Sequence, residues 1–316
     1  MSMRITNNMV SDRVISDLQA RYAQLANTQL QISTGRRVNA PSDDPTAAAQ
    51  ERLQQSQLAG IKSSQNSVAS TQTWLNQSES SLSGVTDVLA RAKEIATTGA
   101  NGSYSQSDRN ALANEVDQLV QAAKESLNAK VGNDYIFSGA KTDTVPYGTA
   151  TGDTYQGDTG AVVRDGGAGV TLQNNPSFVS TSGASETLTA GAILGNGSAS
   201  GDGRVLDTLT QLAAHLRGGT ASDLQALGST DLTALESNRV AVGNAVSAIG
   251  AMSNRATAAT QRLSDMEDNA GDRIDDLTGV DMAQAISDYS TQSAAYQASL
   301  KVGAQIIQPS LLQFLS

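Results

Sequence analysis

Apolar side chains recur at alternating three- and four-residue steps near the start of the chain. Such steps place side chains in a line, or seam, along one side of a helix, so the pattern predicts a helix from residue 5 to about 36. Gly35 supplies its C-terminal stop, and polar Gln29 fills one seam position. The apolar seam positions, which we predict to pair with another helix, are Ile15, Leu18, Tyr22, Leu25 and Ile32.

A dense turn signal follows at residues 39–45. Asp44 is well placed to cap the next helix, and Pro45 is well placed to be its first residue. The sequence therefore predicts an inter-helix turn formed by Pro41, Asp43, Asp44 and Pro45.

The second predicted helix, from residue 45 to about 97, is far longer than an average helix. Its apolar positions recur every seven residues from Ile61 to Leu89, which is typical of a coiled coil. At the usual rise per residue such a helix is roughly 80 Å long. A third helix is predicted to start at a cap formed by Ser107 or Asp108, with seam positions that end at Leu127.

The pattern changes after residue 131. Residues 134–138 are predicted to form a short strand closed by Gly139. From about residue 140 to 203 the chain is rich in Gly, Thr and Ser, with alternating runs at 161–164 and 169–172. This composition predicts a small β-rich insertion, and the same stretch could equally contain long mobile loops.

Helical spacing returns at residue 205 and continues in a longer helix that begins near Ser229 or Thr230. Gly279 marks a break, after which a final helix is predicted to start. Only Asp288 and Lys301 are charged between residues 286 and 316, whereas a solvated helix carries many more charges. We therefore expect this segment to need a partner surface. Its predicted pairing residues are Ile286, Tyr289, Tyr296, Leu300, Ile307 and Phe314.

Helical segments at both ends flank the β-rich middle. The predicted fold class is therefore mainly α with a β-rich insertion, an elongated antiparallel bundle or coiled coil that pairs the N- and C-terminal helices. We divide it into a terminal helical core (1–40 with 278–316), a helical rod (41–139 with 204–277) and an outer β-rich domain (140–203). One N-terminal helix covers only one side of the C-terminal helix, which predicts contacts with other subunits.

Composition narrows the functional classes. The 316 residues contain no cysteine, so disulfides and thiolate metal sites are excluded. The formal net charge of -10 argues against nucleic acid and membrane surfaces as partners. The N-terminus lacks the apolar run of about 7–15 residues of a secretory signal, and no segment is apolar enough to span a membrane. By these features alone the protein is expected in the cytoplasm.

No set of side chains suggests catalysis or a metal site. His215, the only histidine, is expected to be packed or partly exposed, since no cysteine or second histidine could complete a common zinc or Ser–His site. The acidic run 265–276 lacks the order of an EF-hand loop, and the Gly-rich run 166–169 lacks the lysine of a phosphate loop. We expect no enzyme activity, no cofactor and no metal.

The turn and both ends of the chain resemble the flagellin superfamily. The motifs that carry the resemblance are QISTGRRVN at 31–39, PSDDP at 41–45, YIFSG at 135–139, YQASL at 296–300 and SLL at 310–312. The PSDDP form resembles the hook–filament junction members of the family more than the flagellins, which usually carry an Ala-Lys-Asp-Asp-Ala turn there. The resemblance covers residues 1–145 and 205–316, and the middle is not diagnostic.

What the resemblance implies is a structural adaptor of the bacterial flagellum that joins the hook to the filament and is required for filament assembly and motility. Its implied partners are further copies in a homo-oligomeric ring, hook-associated protein 1, flagellin, an export chaperone and the flagellar type III export apparatus. Export by that route needs no cleavable signal, so the resemblance replaces the cytoplasmic expectation with an extracellular one.

Two alternatives stay open at this point. The chain could be flagellin itself, the filament subunit, because the terminal motifs are shared across the superfamily. A secreted adhesin or coiled-coil binding module unrelated to flagella is a second alternative, in which the β-rich middle would bind the target.

Overall fold

A computed structural model describes residues 7–148, 153–167 and 169–307. The chain folds into two compact units, which we call the terminal unit (residues 1–60 and 266–316) and the central unit (residues 61–265). The helices are α1 (Asn7–Thr34), α2 (Pro45–Gly99), α3 (Gln106–Leu127), α4 (Ala190–Leu194), α5 (Val205–Gly218), α6 (Ala221–Gly228), α7 (Thr230–Thr278) and α8 (Met282–Ile307). The strands are β1 (Lys130–Val131), β2 (Asp134–Tyr135), β3 (Val163–Asp165), β4 (Thr171–Gln173), β5 (Ser177–Val179) and β6 (Ser185–Thr187).

The predicted fold class is confirmed. Long helices occupy both ends of the chain, and the described strands pair only as three short antiparallel hairpins, β1–β2, β3–β4 and β5–β6. The division into three domains stays a prediction, and the two compact units group the helices differently because α2 and α7 each contribute to both.

The central unit has a continuous apolar core. The seven-residue repeat of α2 is buried at Val68, Leu75, Leu82 and Leu89, and α3 packs against α5. Hydroxyl side chains occupy alternate seam positions of α2 and donate to carbonyls of their own helix: Thr71 to Ser67 (3.1 Å) and Ser78 to Trp74 (2.9 Å). These bonds satisfy the buried hydroxyls without a partner on another helix.

The insertion is built from alternation on very short strands. In β4 and β5 the central residues Leu172 and Phe178 are buried, while the residue before each is exposed. Helix α4 follows β6, is capped by the Thr189 hydroxyl, which accepts from the Ala192 amide (3.1 Å), and buries Ile193 and Leu194. Antiparallel pairing therefore accounts for the predicted β-rich character, with one short helix that the sequence pattern did not predict.

Two local predictions were wrong. The strand expected at residues 134–138 ends at Tyr135. The Ile136 amide still donates to the Ala129 carbonyl (3.2 Å) in the β1–β2 register, but β1 begins only at Lys130, shortly after α3, so the partner strand ends there. Helix α3 is capped by Ser105 rather than by Ser107 or Asp108. Asp108 completes a capping box with Ser105, so the expected cap residue lies three positions inside the helix.

The single histidine lies in the last turn of α5, where its Nδ1 is 2.8 Å from the carboxylate of buried Asp231 in the first turn of α7. The expectation of a packed, partly exposed side chain is confirmed. Its contact with an aspartate joins two helix ends within the central unit.

We predict that burial separates two otherwise matched valines in the central unit. Val85 in α2 is fully buried and Val240 in α7 is half exposed, and both lie inside helices. Val85→Ala should lower the free energy of unfolding by roughly 2 kcal/mol, whereas Val240→Ala should change it by less than about 0.5 kcal/mol. Urea denaturation followed by circular dichroism measures both, and equal effects would contradict the assigned core.

Candidate assembly interface

Helices α1 and α8 pack against each other within the terminal unit. The rings of Tyr22 and Tyr296 lie 6.0 Å apart, tilted by 47°. The hydroxyl of Thr28 donates to Oε1 of Gln292 (2.9 Å). The two backbones approach closely at Gly303, where a Cβ atom would lie 3.1 Å from Cγ1 of Val14. Residue numbers rise along α1 as they fall along α8 in these contacts, so the helices are antiparallel.

The predicted pairing residues lie on this helix pair but are incompletely covered. Side chains with intermediate burial are Leu18, Leu25, Ile32, Tyr289 and Tyr296. The others remain substantially exposed: Ile15 by 45%, Tyr22 by 59%, Ile286 by 55% and Leu300 by 44%. Ile307 ends α8, and its side chain, like Phe314, lies outside the described residues. A helix with one neighbour covers only one face, which explains the remaining exposure.

Two shallow grooves flank Leu18 on the α1–α8 pair. We call the first the apolar groove; it encloses about 320 Å³ and is lined by Ile15, Leu18, Gln19, Tyr22, Tyr296 and Leu300. We call the second the charged groove; it encloses about 270 Å³ and is lined by Val14, Asp17, Leu18, Arg21, Ala298, Ser299, Val302 and Gly303. On α1 the two linings fall on opposite sides of Leu18 because successive helical residues are rotated by about 100°. The pair therefore has two chemically different faces.

One seam position was assigned wrongly. Gln29 is exposed, and the buried residue of this turn is Thr28, which bonds to Gln292. Thr28 is as compatible with the three- and four-residue steps as Gln29, since it lies three positions after Leu25 and four before Ile32. The small hydroxyl side chain of Thr28, compared with the long amide side chain of Gln29, is the sequence signal that could have identified Thr28 as the buried position.

Three of the predicted turn residues, Pro41, Asp43 and Asp44, lie in the connection between α1 and α2, and the fourth begins α2. The Oδ1 atom of Asp44 accepts from the amides of Thr46 (3.2 Å) and Ala47 (3.0 Å) in the first turn of α2. Asp43 bridges the connection itself, because Oδ2 accepts from the amide of Ala40 (2.8 Å) and from that of Asn39. Pro41 is exposed in the turn, and Pro45 is the first residue of α2.

The carboxylate of Asp44 is held in its charged form. Donation from the Ala47 amide lowers the pKa of Asp44 most, and the guanidinium of Arg37 lowers this pKa further. A charged acceptor at the first turn also opposes the positive end of the helix dipole. Asp44 therefore acts as the cap of α2, as the sequence predicts for the position before Pro45.

Within the described residues no group of three or more His, Cys, Asp or Glu side chains could hold a metal ion. None of the described helices combines the length and apolar character needed to cross a membrane. The two grooves are therefore the candidate site in the described part of the terminal unit.

Comparison with known proteins supports the same two ends of the chain. The model of the bacterial flagellin N-terminal helical region matches residues 5–142, and that of the C-terminal helical region matches residues 232–315. The flagellar hook-associated protein 3 of Salmonella typhimurium is 30% identical over 98% of this chain and 99% of its own length. The chain belongs to the flagellin family, in its hook-associated protein 3 branch.

Other members of the family match in different ways. The flagellar filament core protein flaB2 of Brachyspira hyodysenteriae is 30% identical, but over only 37% of this chain and 41% of its own length. A putative flagellar hook-associated protein from Vibrio parahaemolyticus has the same fold, with a TM-score of 0.62 and 25% identity over 74% of this chain and all of that chain. Similarity to the filament protein is thus limited to part of the chain, whereas similarity to hook-associated protein 3 includes the middle.

We predict that the start of α2 depends on the charge of Asp44. The lowered pKa means that its contribution to stability is fully present above the unfolded-state pKa of about 3.9 and is lost as pH falls through the lower folded-state pKa. Asp44→Ala should speed exchange of the Thr46 and Ala47 amides by at least about fivefold at neutral pH. Amide exchange measured by NMR tests this.

Asp44→Asn is the matched control, because asparagine keeps the acceptor but cannot titrate. In this variant the Thr46 and Ala47 amides should stay protected at neutral pH and show no loss of protection below about pH 4 that depends on residue 44. Equal exchange in the alanine and asparagine variants would contradict the capping role.

Proposed function

We propose that this chain is a structural subunit at the junction between the flagellar hook and filament, and that α1 and α8 are its assembly elements. The observation that carries the proposal is the similarity to hook-associated protein 3 along 98% of the chain, which includes the insertion. The proposed partners are other copies in a ring, hook-associated protein 1 on the hook side and flagellin on the filament side.

The exposed apolar side chains of the terminal unit support an assembly role. Complete burial of a large aliphatic or aromatic side chain contributes about 1.5–3 kcal/mol. Ile15, Tyr22, Ile286 and Leu300 are each about half exposed, so covering each of them would contribute roughly another 1 kcal/mol. The central unit, by contrast, already buries most of its leucines, including Leu75, Leu82 and Leu89. The stabilisation still available to this chain is therefore concentrated on α1 and α8.

The difference between the grooves favours contacts between unlike surfaces. A two-fold symmetric dimer joins the same patch on both copies, so that patch must be complementary to itself. Here an aromatic and aliphatic groove lies on one side of Leu18, and a groove that carries Asp17 and Arg21 lies on the other. If one neighbour contacts the apolar groove and another contacts the charged groove, the subunits can form a ring or a helical layer. An axial adaptor needs such an arrangement.

The proposal includes export of the chain through the flagellar type III apparatus with a chaperone, and a final location outside the cell. The family assignment supports this part. The filament subunit itself is the less favoured candidate, because the filament core protein that is 30% identical matches only 37% of the chain.

We predict that a charge in the apolar groove prevents assembly without unfolding the protein. Tyr22→Asp or Leu300→Asp, expressed in the source bacterium in place of the natural gene, should leave hooks intact, release flagellin into the medium and reduce filament number at least about tenfold. Electron microscopy of cells and immunoblots of the medium measure these effects.

The matched control is Val163→Asp, which places the same charge at an exposed valine of β3 in the central unit. This variant should assemble filaments normally, and the helical circular dichroism of all three purified proteins should equal that of the parent. Normal filaments on cells with either groove variant would contradict the assembly role of the groove. Long filaments formed by the purified parent protein alone would favour the flagellin alternative.

A further inference from the structure

The break between α1 and α2 is hydrogen-bonded to the break between α7 and α8. The amide of Arg37 donates to the carbonyl of Thr278 (2.7 Å), and the amide of Val280 donates to the carbonyl of Gly35 (3.1 Å). Between these bonds, Arg36 and Gly279 form an antiparallel bridge. Two chain segments more than 200 residues apart in sequence therefore meet as a minimal two-stranded ladder within the terminal unit.

Arg37 connects three helix ends at this point, two through its side chain and one through its backbone carbonyl. Its Nη2 donates to the carbonyl of Leu277 in the last turn of α7 (3.0 Å), and its Nη1 lies 3.4 Å from Oδ2 of Asp44, the cap of α2. Its own carbonyl accepts from Nε2 of Gln31 in the last turn of α1 (3.1 Å). A guanidinium can hold such an arrangement because its donors form a fixed planar fork.

Arg36 makes a second connection, to the body of α2. Its guanidinium pairs with the carboxylate of Glu51, which is almost fully buried and also accepts from Nε2 of Gln55 (2.7 Å). A buried carboxylate is stable only when it is paired and hydrogen-bonded. The pair thus holds the segment that follows α1 against α2, beside the small apolar cluster of Val38, Ala47 and Ala48.

The opposite strand of the ladder leaves no room for a side chain. A Cβ atom at residue 279 would lie 2.5 Å from the carbonyl oxygen of Asp275, so glycine is required for the close return of the chain after α7. The Gly279 amide donates to that same carbonyl (2.6 Å). The helix break predicted at Gly279 therefore has a specific backbone conformation that requires glycine.

The ladder and the α1–α8 contacts belong to one register. When two antiparallel segments keep one register, the residue numbers of facing pairs have nearly the same sum. This sum is 315 for Arg36 and Gly279, 320 for Thr28 and Gln292, and 318 for Tyr22 and Tyr296. The helices between them bury few large side chains, and a seven-residue apolar repeat alone permits slippage by one heptad. The ladder adds directional backbone bonds to the Thr28–Gln292 hydrogen bond of the helix seam.

We infer that Arg37, together with the Arg36–Glu51 pair, is a positioning group that fixes the register of α8 on α1. We call this group the register clamp (Arg36, Arg37, Asp44, Glu51 and the bridge to Gly279). Because Tyr22 and Tyr296 line the apolar groove together, the clamp determines which side chains form that groove. Its importance for assembly rests on the function proposed above, whereas the register itself does not.

The absence of cysteine in the chain allows a direct test in the full-length protein. The in-register reporter is Thr28→Cys with Gln292→Cys, and the slipped reporter is Thr28→Cys with Ser299→Cys, one heptad further along α8. With a short bifunctional maleimide, the first pair should cross-link efficiently and the second poorly. Arg37→Ala should reduce the in-register yield at least about fivefold and raise the slipped yield, while exposed Arg52→Ala should change neither.

Exchange of the two charged side chains supplies a second test, in which the double variant contains the same pair in reversed positions. Glu51→Arg should disturb the in-register cross-link, and adding Arg36→Glu should restore it, because the exchanged pair can form the same contact. A merely local structural role for either residue would not give this rescue. Circular dichroism of each variant verifies that the helices persist.

The outcomes separate the clamp from the assembly function. Unchanged cross-linking in Arg37→Ala and no rescue by the double reversal would overturn the clamp. Loss of the in-register cross-link together with loss of filaments in cells supports both the clamp and the groove. Loss of the cross-link with normal filaments supports the clamp and contradicts the assembly role of the groove.

Discussion

A helix that packs against a single neighbour can bury only one of its faces, and this constraint governs the terminal unit. Helices α1 and α8 meet along a seam whose closest approaches involve Gly303, Thr28 and a tilted pair of tyrosines. The apolar residues beside that seam stay partly in water because, among the described residues of the unit, α1 and α8 pack chiefly on each other. Every feature that supports an assembly role, from the exposed isoleucines to the two unlike grooves, follows from this geometry.

The central unit avoids the constraint because α3 and α4 pack against α5 and share one continuous apolar core with α2 and α7. Its core is built from leucine, valine and alanine layers on α2, α3, α5 and α7, which explains how a chain with 3% aromatic residues forms a tightly packed interior. Serine and threonine at seam positions bond to their own helix. They let helices approach without leaving buried hydroxyls unsatisfied, and they leave the apolar contacts to hold the helices together.

The helices could be predicted from the sequence because their signals are local and periodic. The seven-residue repeat in α2, the Asp44–Pro45 start and the Gly279 break each depend on residues that are close together in the chain. Thr28 could not be distinguished from Gln29 by spacing alone, because both satisfy the steps. Its smaller side chain favours Thr28, and the contact with Gln292 decides between them. The strand expected at 134–138 was wrong because its partner β1 is only two residues long, and the alternation within 134–138 carries no information about that partner. The register clamp was beyond prediction, because its bonds join segments that the sequence separates by more than 200 residues.

The partly exposed side chains of α1 and α8 also have a thermal consequence. Burial of apolar surface is accompanied by a negative change in heat capacity, and the associated driving force weakens on cooling. A junction held through Ile15, Tyr22 and Leu300 would therefore tighten as the temperature rises toward the growth range and loosen in the cold. The free subunit would meanwhile retain an ordered hydration layer over these residues, and release of that water would supply much of the entropy of incorporation.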